Sequence, residues 1–577
     1  MKNIFKRKSD LLHNKETISL GITGMTCSGC SSHIEKDMNK TNGIVSSSVN
    51  HETGKGEFTF DTDKFDKSKL IDAVNSIGNY KVVKGVENDT AVVSNNENTA
   101  IKDTSNDKHD YDLIVIGGGS AAFSAAIKAE GLGLTILMVN GGLDFGGTCV
   151  NVGCVPSKNL IRAAETAYHA MHSNFKGIKP RGVDIDFKQI IKDKKELVSA
   201  LQQQKYIDVV SDFENLTMLK GWAEFLDNKT IIVDRKDKYT ATNIVIATGA
   251  TTNIPNIDGL SEVGYLTNVS LFDLEEKPES LTIMGAGYIG LEIAMAYNRL
   301  GVKVRIIEFT DRPLRSQTND ITDVLVEQMK SEGIEILPNF RAFKFEKDGD
   351  NTIIHCNCPD GSTTQIIEKG HIVVATGTKP NTSKLGLENI DINLTKRGHI
   401  IVNEKMETNV SNIFAAGDVA NTPAFVYTAA TEGNTAVNNA FSLSKKSVDY
   451  ASLPWVVFTD PQIAGAGMDE VEAEKAGIPF EVSKLDLIYV PRALAAQDTR
   501  GFIKLIRNTE TDKLIGARVI APEGGELIQQ LSMAIKFGIT VKDLTESFYP
   551  YLTLGEGIKL AAITFGKDVS KLSCCAS

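Results

Sequence analysis

No stretch of this sequence approaches the roughly 20 consecutive apolar residues that a membrane-spanning helix needs, although 42% of the 577 residues are hydrophobic. Positive charge is also short. Against 73 Asp and Glu stand 62 Lys and Arg, a net charge of -11, which excludes the positive field that nucleic-acid binding depends on. Lys2, Lys6, Arg7 and Lys8 are basic, but Ser9, Asp10, His13, Asn14, Lys15 and Glu16 follow where a secretory signal needs an apolar stretch. A cytoplasmic protein with neither a membrane span nor nucleic acid as partner is expected. Structural disulfides are rare in that compartment. The 8 cysteines form four close pairs, which there suggest metal binding or redox chemistry. His109, His169 and His172 show no metal-ligand spacing.

A chain of this length spans about four average domains. Residues 16–85 read as a small independent unit. Ile18, Leu20 and Ile22 alternate as in a half-buried strand, and Ile34 and Met38 share a helical face. A turn at Thr53-Gly54-Lys55-Gly56 precedes a strand with Phe58 and Phe60. Leu70, Val74 and Ile77 mark a second helix, and Tyr80 to Val83 a last strand. The order βαββαβ predicts a ferredoxin-like domain. Residues 86–109 are rich in Asn, Asp, Ser and Thr and predict a flexible tether, since so little apolar area cannot offset the entropy of ordering.

Beyond Tyr111 the pattern is α/β. The strand Asp112 to Ile116 runs into Gly117-Gly118-Gly119-Ser120-Ala121-Ala122, and Leu281 to Met284 runs into Gly285-Ala286-Gly287-Tyr288-Ile289-Gly290. Each glycine run opens a helix, and in each the next strand ends 23 residues after its first glycine, at Asn140 and Glu308. Glycine permits the tight turn and the approach of a pyrophosphate to the helix N-terminus. Two copies in strand–turn–helix context predict two nucleotide-binding units. Ala122 replaces the third glycine of the first copy, an allowed variant. At the ribose position Asn140 accepts a hydrogen bond without charge. Glu308 favours NADH, while Arg312 and Arg315 behind it are either binders of the NADPH 2′-phosphate or solvated loop charges. No third fingerprint occurs after residue 450.

The segment Gly146-Gly147-Thr148-Cys149-Val150-Asn151-Val152-Gly153-Cys154-Val155-Pro156-Ser157-Lys158 holds two cysteines that pair only if the chain curls, as at a helix start. A helix N-terminus also lowers a thiol pKa toward neutral. With these motifs, residues 110–577 resemble the flavin-dependent pyridine nucleotide-disulfide oxidoreductases. The resemblance implies two Rossmann-like domains and an α+β dimerisation domain. FAD would bind to 110–265 and 386–450, NADPH or NADH to 266–385, and 451–577 would dimerise. It makes Cys149 and Cys154 the redox-active pair, Cys154 against the flavin and Cys149 exchanging with substrate. Lys158 matches the lysine near the flavin and Glu292 its ion-pair partner. Asp418, ending Ile413-Phe414-Ala415-Ala416-Gly417-Asp418, would hold the ribityl chain. Gly147, Thr148 and Gly249 complete the expected flavin contacts.

One departure is informative. Family members acting on organic disulfides carry an acid–base His near the C-terminus, and here Tyr551 stands in its place, in Tyr549-Pro550-Tyr551-Leu552-Thr553-Leu554-Gly555-Glu556. A metal leaving as an atom needs no proton, whereas a disulfide reductase without this base would be poor. The ending Ser573-Cys574-Cys575-Ala576 offers two soft thiolates to one soft cation. It resembles the mercury-reducing branch of the family, in which the tail of one subunit passes Hg(II) to the inner pair of the other. Tyr206 and Tyr551 match tyrosines that line the metal site there. Cys27 and Cys30, in Gly24-Met25-Thr26-Cys27-Ser28-Gly29-Cys30, resemble a heavy-metal-associated domain. Zinc would want about four ligands, and a thioredoxin-like redox role is the competing reading. Cys356 and Cys358 read as structural. The expected activity is reduction of thiol-bound Hg(II) to Hg(0) by a homodimer, with electrons from NADPH or NADH through FAD. The alternatives are a dihydrolipoamide-type disulfide reductase and a metal-sequestering protein.

Overall fold

The computed structural model describes residues 15–23, 28–51, 55–77, 80–82 and 109–568. Cys27, Cys574, Cys575 and residues 86–108 of the expected tether lie outside the described residues. The chain divides into two compact units, Met1–Ala100 and Ile101–Ser577. Among the described residues, no helix is long and apolar enough to cross a membrane.

In the first unit β1 (Lys15–Thr23), α1 (Ser28–Met38), β2 (Ile44–Asn50), β3 (Lys55–Asp61), α2 (Leu70–Asn75) and β4 (Lys81–Val82) follow the expected βαββαβ order. The sheet order is β2-β3-β1-β4. Alternation along β3 turns Phe58 and Phe60 inward, onto Ile34 and Met38 of α1 and Leu70 and Val74 of α2, all fully buried. Cys30 lies in the first turn of α1, half-buried at the edge of this core.

The second unit opens with β5 (Tyr111–Ile116), α3 (Ser120–Glu130), β6 (Ile136–Asn140), α4 (Gly147–Asn151), α5 (Cys154–Met171) and α6 (Phe187–Gln202). Then come β7 (Leu216–Lys220), β8 (Ala223–Phe225), β9 (Thr230–Val233) and β10 (Asp237–Ile246). The sheet runs β7-β6-β5-β10-β9-β8, parallel from β7 to β10. Its central strands β5 and β6 are almost wholly apolar and buried, as strands covered on both faces require. The N-terminal half of β10 pairs antiparallel with β9.

A second parallel sheet is built from β11 (Ser280–Met284), followed by α7 (Tyr288–Arg299), β12 (Lys303–Glu308), α8 (Asn319–Ser331) and β13 (Glu335–Pro338). A three-stranded antiparallel meander follows: β14 (Arg341–Asp348), β15 (Asn351–Asn357) and β16 (Thr363–Glu368). β17 (His371–Val374) then closes the parallel sheet beside β11, in the order β13-β12-β11-β17. Cys356 is buried in β15, but Cys358 lies one residue beyond its end, where its N–H donates to Ser362 O across the hairpin. The strand therefore holds only one of the two.

The chain next returns to the first sheet. β18 (Ile413–Ala415) pairs parallel with β10, and α9 (Val426–Phe441) packs on α3. Its Gly433 lies so near α3 that a Cβ there would stand 2.1 Å from Ala121 O. The C-terminal part is an antiparallel sheet of β19 (Trp455–Val457), β20 (Gln462–Gly467), β21 (Phe480–Asp486), β22 (Phe502–Asn508) and β23 (Leu514–Ala521). Its order is β19-β20-β23-β22-β21. Helix α10 (Gly524–Lys536) packs on β20 and β23. α11 (Glu556–Ile563) is the last helix described.

Candidate active site

Both glycine turns have close backbone approaches and uncapped helix starts. Gly117 has φ +137, and a Cβ there would meet Ala247 O at 2.1 Å. Gly285 has φ +104 and faces Ala375 O at 2.6 Å in the same way. The helices after the turns, α3 and α7, begin at Gly119 and Gly287 with no side chain capping them. Their first N–H groups are left for an anion. A Cβ on Gly287 would meet nothing within 4 Å, so the second turn opens onto free space, as does Gly249 after β10. Ala122 is fully buried in α3.

The residues expected at the ribose positions behave differently. Asn140 turns back, donating from Nδ2 to Leu143 O at 2.8 Å, and lies against Gly118. Glu308 is buried, and its Oε2 accepts from Ala286 N at 2.7 Å, inside the second glycine turn. Asp418 follows β18. Burial pushes its carboxyl up, opposed by His399 and by its own amide. A carboxylate held in so little water suits a polyol hydroxyl as partner. These features fit a flavin dinucleotide over the first turn.

Between the turns lies the cysteine pair. Gly146 (φ +104) and Gly147 (φ +64) bend the chain into α4, which carries Cys149 and Thr148. Gly147 packs its backbone on Gly119. Gly153 crosses so near Thr148 O and Cys149 Cα that a side chain there would collide, and this close turn delivers Cys154 to the first position of α5. The two thiols hydrogen-bond one another. Cys154 is held down at about 7 by the Cys149 thiol, against burial, with Lys158 and its own backbone amide helping. Cys149 is pushed up by the same hydrogen bond and by burial. Cys154 is open to solvent and Cys149 half-buried.

Lys158, one helical turn after Cys154, extends Nζ to Glu292 Oε2 at 2.7 Å. Glu292 is buried in α7, and its Oε1 accepts from Phe458 N at 2.9 Å. Lys158 also stands 4.5 Å from the Phe458 ring centroid. Tyr206 sits in a π-helical turn, Gln203–Ile207, an irregularity often found at functional sites. Its hydroxyl is 3.1 Å from Ser120 Oγ, and its ring stands edge-on to Phe123 at 5.0 Å. Burial pushes its phenol up against the pull of Ser120, and Cys149 and Cys154 add to the rise.

The structure thus brings Cys149, Cys154, Lys158, Glu292 and Tyr206 together around the first turn. Tyr551 is elsewhere, in the loop before α11, where it is 54% exposed. Glu556, the first residue of α11, accepts from Leu552 N at 3.2 Å.

Three side chains here escaped the sequence reading. Glu432 in α9 is fully buried, accepting from Gly417 N (2.7 Å), Tyr450 Oη (2.7 Å) and Thr422 Oγ1 (3.1 Å), and so fixes the turn that carries Asp418. Its signal was a lone carboxylate among the small residues of Thr428-Ala429-Ala430-Thr431-Glu432-Gly433. Tyr288 and Tyr427 complete the surroundings. Burial pushes each up to about 12, and Cys154 and Tyr288 contribute at Tyr427. A tyrosine opening a glycine-turn helix and one in a long helix carry no pattern that marks them.

Residues 111–433 match the family described as pyridine nucleotide-disulphide oxidoreductase, 453–562 its dimerisation domain, and 20–81 the heavy-metal-associated domain. A mercuric reductase from Staphylococcus aureus is 39% identical over 563 residues, 97% of this chain and 100% of the relative. One from Bacillus cereus is 37% identical, covering 99% of this chain and 88% of the relative. Among solved structures, the HOCl-induced flavoprotein disulfide reductase RclA from Escherichia coli superposes with a TM-score of 0.70 at 27% identity, covering 78% of this chain and 98% of that one.

Proposed function

This chain belongs to the mercuric reductases of the pyridine nucleotide-disulphide oxidoreductase family, and we propose that Cys149 and Cys154 are the sulfur ligands from which it reduces Hg(II) to Hg(0). The observation that carries this reading is the thiol pair itself: the close turn at Gly153 sets Cys154 at the start of α5 beside Cys149, with Lys158 one helical turn further on.

When bound, FAD reduced by NADH or NADPH supplies the electron pair that the metal takes up. The rest falls to the chain. Near neutral pH Cys154 is substantially thiolate and Cys149 keeps its proton, so the pair presents one ready ligand and one hydrogen-bond donor. Hg(II) is the substrate, a soft cation that thiolates select. As it binds Cys149, that thiol releases its proton. When the metal takes up two electrons both Hg–S bonds break, each sulfur keeps its bonding pair, and a neutral atom leaves without needing a proton. Lys158, balanced by Glu292, holds positive charge beside Cys154. Tyr206, and Tyr551 of a second copy, would wall the metal site. Cys27 and Cys30 would capture the ion, and Cys574 and Cys575 of one subunit would deliver it to Cys149 and Cys154 of the other. The dimerisation domain supports a homodimer, and the reading places the enzyme in the cytoplasm.

A disulfide reductase is the second reading, supported by the likeness to RclA. Against it, Tyr551 occupies the position of the acid–base histidine. The test is mercury vapour released from thiol-bound Hg(II), with NADH or NADPH present. Cys149→Ser with Cys154→Ser should lower it at least about a thousandfold. Full vapour release from that variant, or faster turnover of glutathione disulfide than of mercury, would refute the proposal.

A further inference from the structure

We infer that the second nucleotide-binding unit selects NADH over NADPH, with Glu308 as the selecting group and Arg312 and Arg315 withdrawn from phosphate recognition. The inference rests on the reading of that unit as the nicotinamide cofactor site. In such units the residue ending the second strand meets the adenosine ribose, where the two cofactors differ by a 2′-phosphate.

Glu308 ends β12 and is buried. Three donors fix it: Ala286 N to Oε2 at 2.7 Å, and Thr310 N and Oγ1 to Oε1 at 2.7 and 2.6 Å. A carboxylate tied at both oxygens cannot swing aside for a second anion. Oε2 has only one donor and retains a lone pair for a ribose hydroxyl.

A 2′-phosphate would need a cation, and Arg312 is held by its own loop while Arg315 shares an exposed carboxylate. The Nη2 of Arg312 donates to Arg315 O at 3.2 Å and Gln317 O at 3.0 Å, while its Nη1 lies 3.4 Å from Asp311. Both of its terminal nitrogens are thus turned onto its own loop, leaving only the buried Nε without a partner. Arg315 faces Asp311 at 3.6 Å. Next to Glu308, where a cation would serve best, stands Phe309, 70% exposed and uncharged. An exposed ring there offers a stacking face to adenine and nothing to a phosphate. The fixed negative charge, the committed arginines and the exposed ring all favour the unphosphorylated ribose.

The test uses the oxidised, flavin-loaded protein. Calorimetric titration with adenosine 5′-monophosphate and adenosine 2′,5′-bisphosphate should show the monophosphate binding at least about tenfold more tightly, about 1.4 kcal/mol. NADH should exceed NADPH in kcat/KM by a similar factor. Glu308→Ala should bring the binding ratio toward one. Phe309→Arg, at an exposed position where packing is not at stake, should strengthen bisphosphate binding about tenfold through a charge-assisted contact. Equal or tighter bisphosphate binding by the unaltered protein, or a ratio that neither variant moves, overturns the inference. The titration contains no mercury, so its outcome is separate from that of the thiol chemistry.

Discussion

The two nucleotide-binding units share a strand–glycine–helix plan but complete it by different means. The second is self-sufficient, because Glu308, 22 residues along the chain from Ala286, reaches back and clamps the glycine turn directly. The first is not. Asn140 bonds Leu143 O instead, and the unit's buried carboxylate, Glu432, arrives from α9 after the chain has built the whole second unit and holds a different turn, the one that carries Asp418. The comparison shows that a repeated local motif does not carry its supporting interactions with it. In the first unit the buried carboxylate comes from a distant helix and braces a second turn rather than the glycine turn itself.

The cysteines sharpen this contrast most. In the first unit a helix start and a partner thiol hold Cys154 at about 7, while in the second unit burial pushes Cys356 up to about 11. Alkylation of the reduced protein with iodoacetamide, read site by site by peptide mass spectrometry, should label Cys154 at least about a thousandfold faster than Cys356 at pH 7. The Cys154 rate should rise with pH through a midpoint near 7, since a lowered pKa gives thiolate above it and thiol below. Equal rates would erase the distinction between the units.

A smaller effect is expected from Glu432→Ala. It strands the Gly417 amide and the Tyr450 and Thr422 hydroxyls near a buried turn, at a cost of about 3 kcal/mol in all. The unfolding midpoint should fall and flavin should be lost on gel filtration. An unchanged midpoint with full flavin content would mean that Glu432 does not support the turn that carries Asp418. Smallest of all is Asn140→Ala, which removes one hydrogen bond to Leu143 O and should cost about 1 kcal/mol in denaturant unfolding. A larger loss would make Asn140 an equal of Glu308 after all.

Much of this was legible before any coordinates. The glycine turns, the Cys149/Cys154 curl, the strand ends at Asn140 and Glu308, and the alternation of Phe58 and Phe60 are local patterns, and locality is what a sequence displays. The rest depended on contacts between distant segments. The pair Lys158–Glu292 could be named only through resemblance, since 134 positions separate its members. The junction of Arg299 with Asp460 and Glu332, with Arg500 and His169 also on Asp460, gave no signal at all. There, burial works to raise the Asp460 carboxyl, but His169, Arg500 and Arg299 outweigh it and hold it well below the ordinary range. Arg312 shows the opposite failure. Its sequence neighbourhood suggested either a phosphate or solvent, and it serves neither, because loop carbonyls have claimed it.

Glu292 has a further consequence. It belongs to α7, takes the ammonium of Lys158 on one oxygen and the Phe458 amide on the other, and so rivets three separately built pieces of the molecule at one point. Its negative charge also works against the acidity of Cys154, which Lys158 promotes. A tilt of the second unit away from the first would remove that opposing charge and leave the lysine's field on the sulfur unbalanced. The reactivity of one thiol is therefore a gauge of how squarely the cofactor-bearing halves are seated.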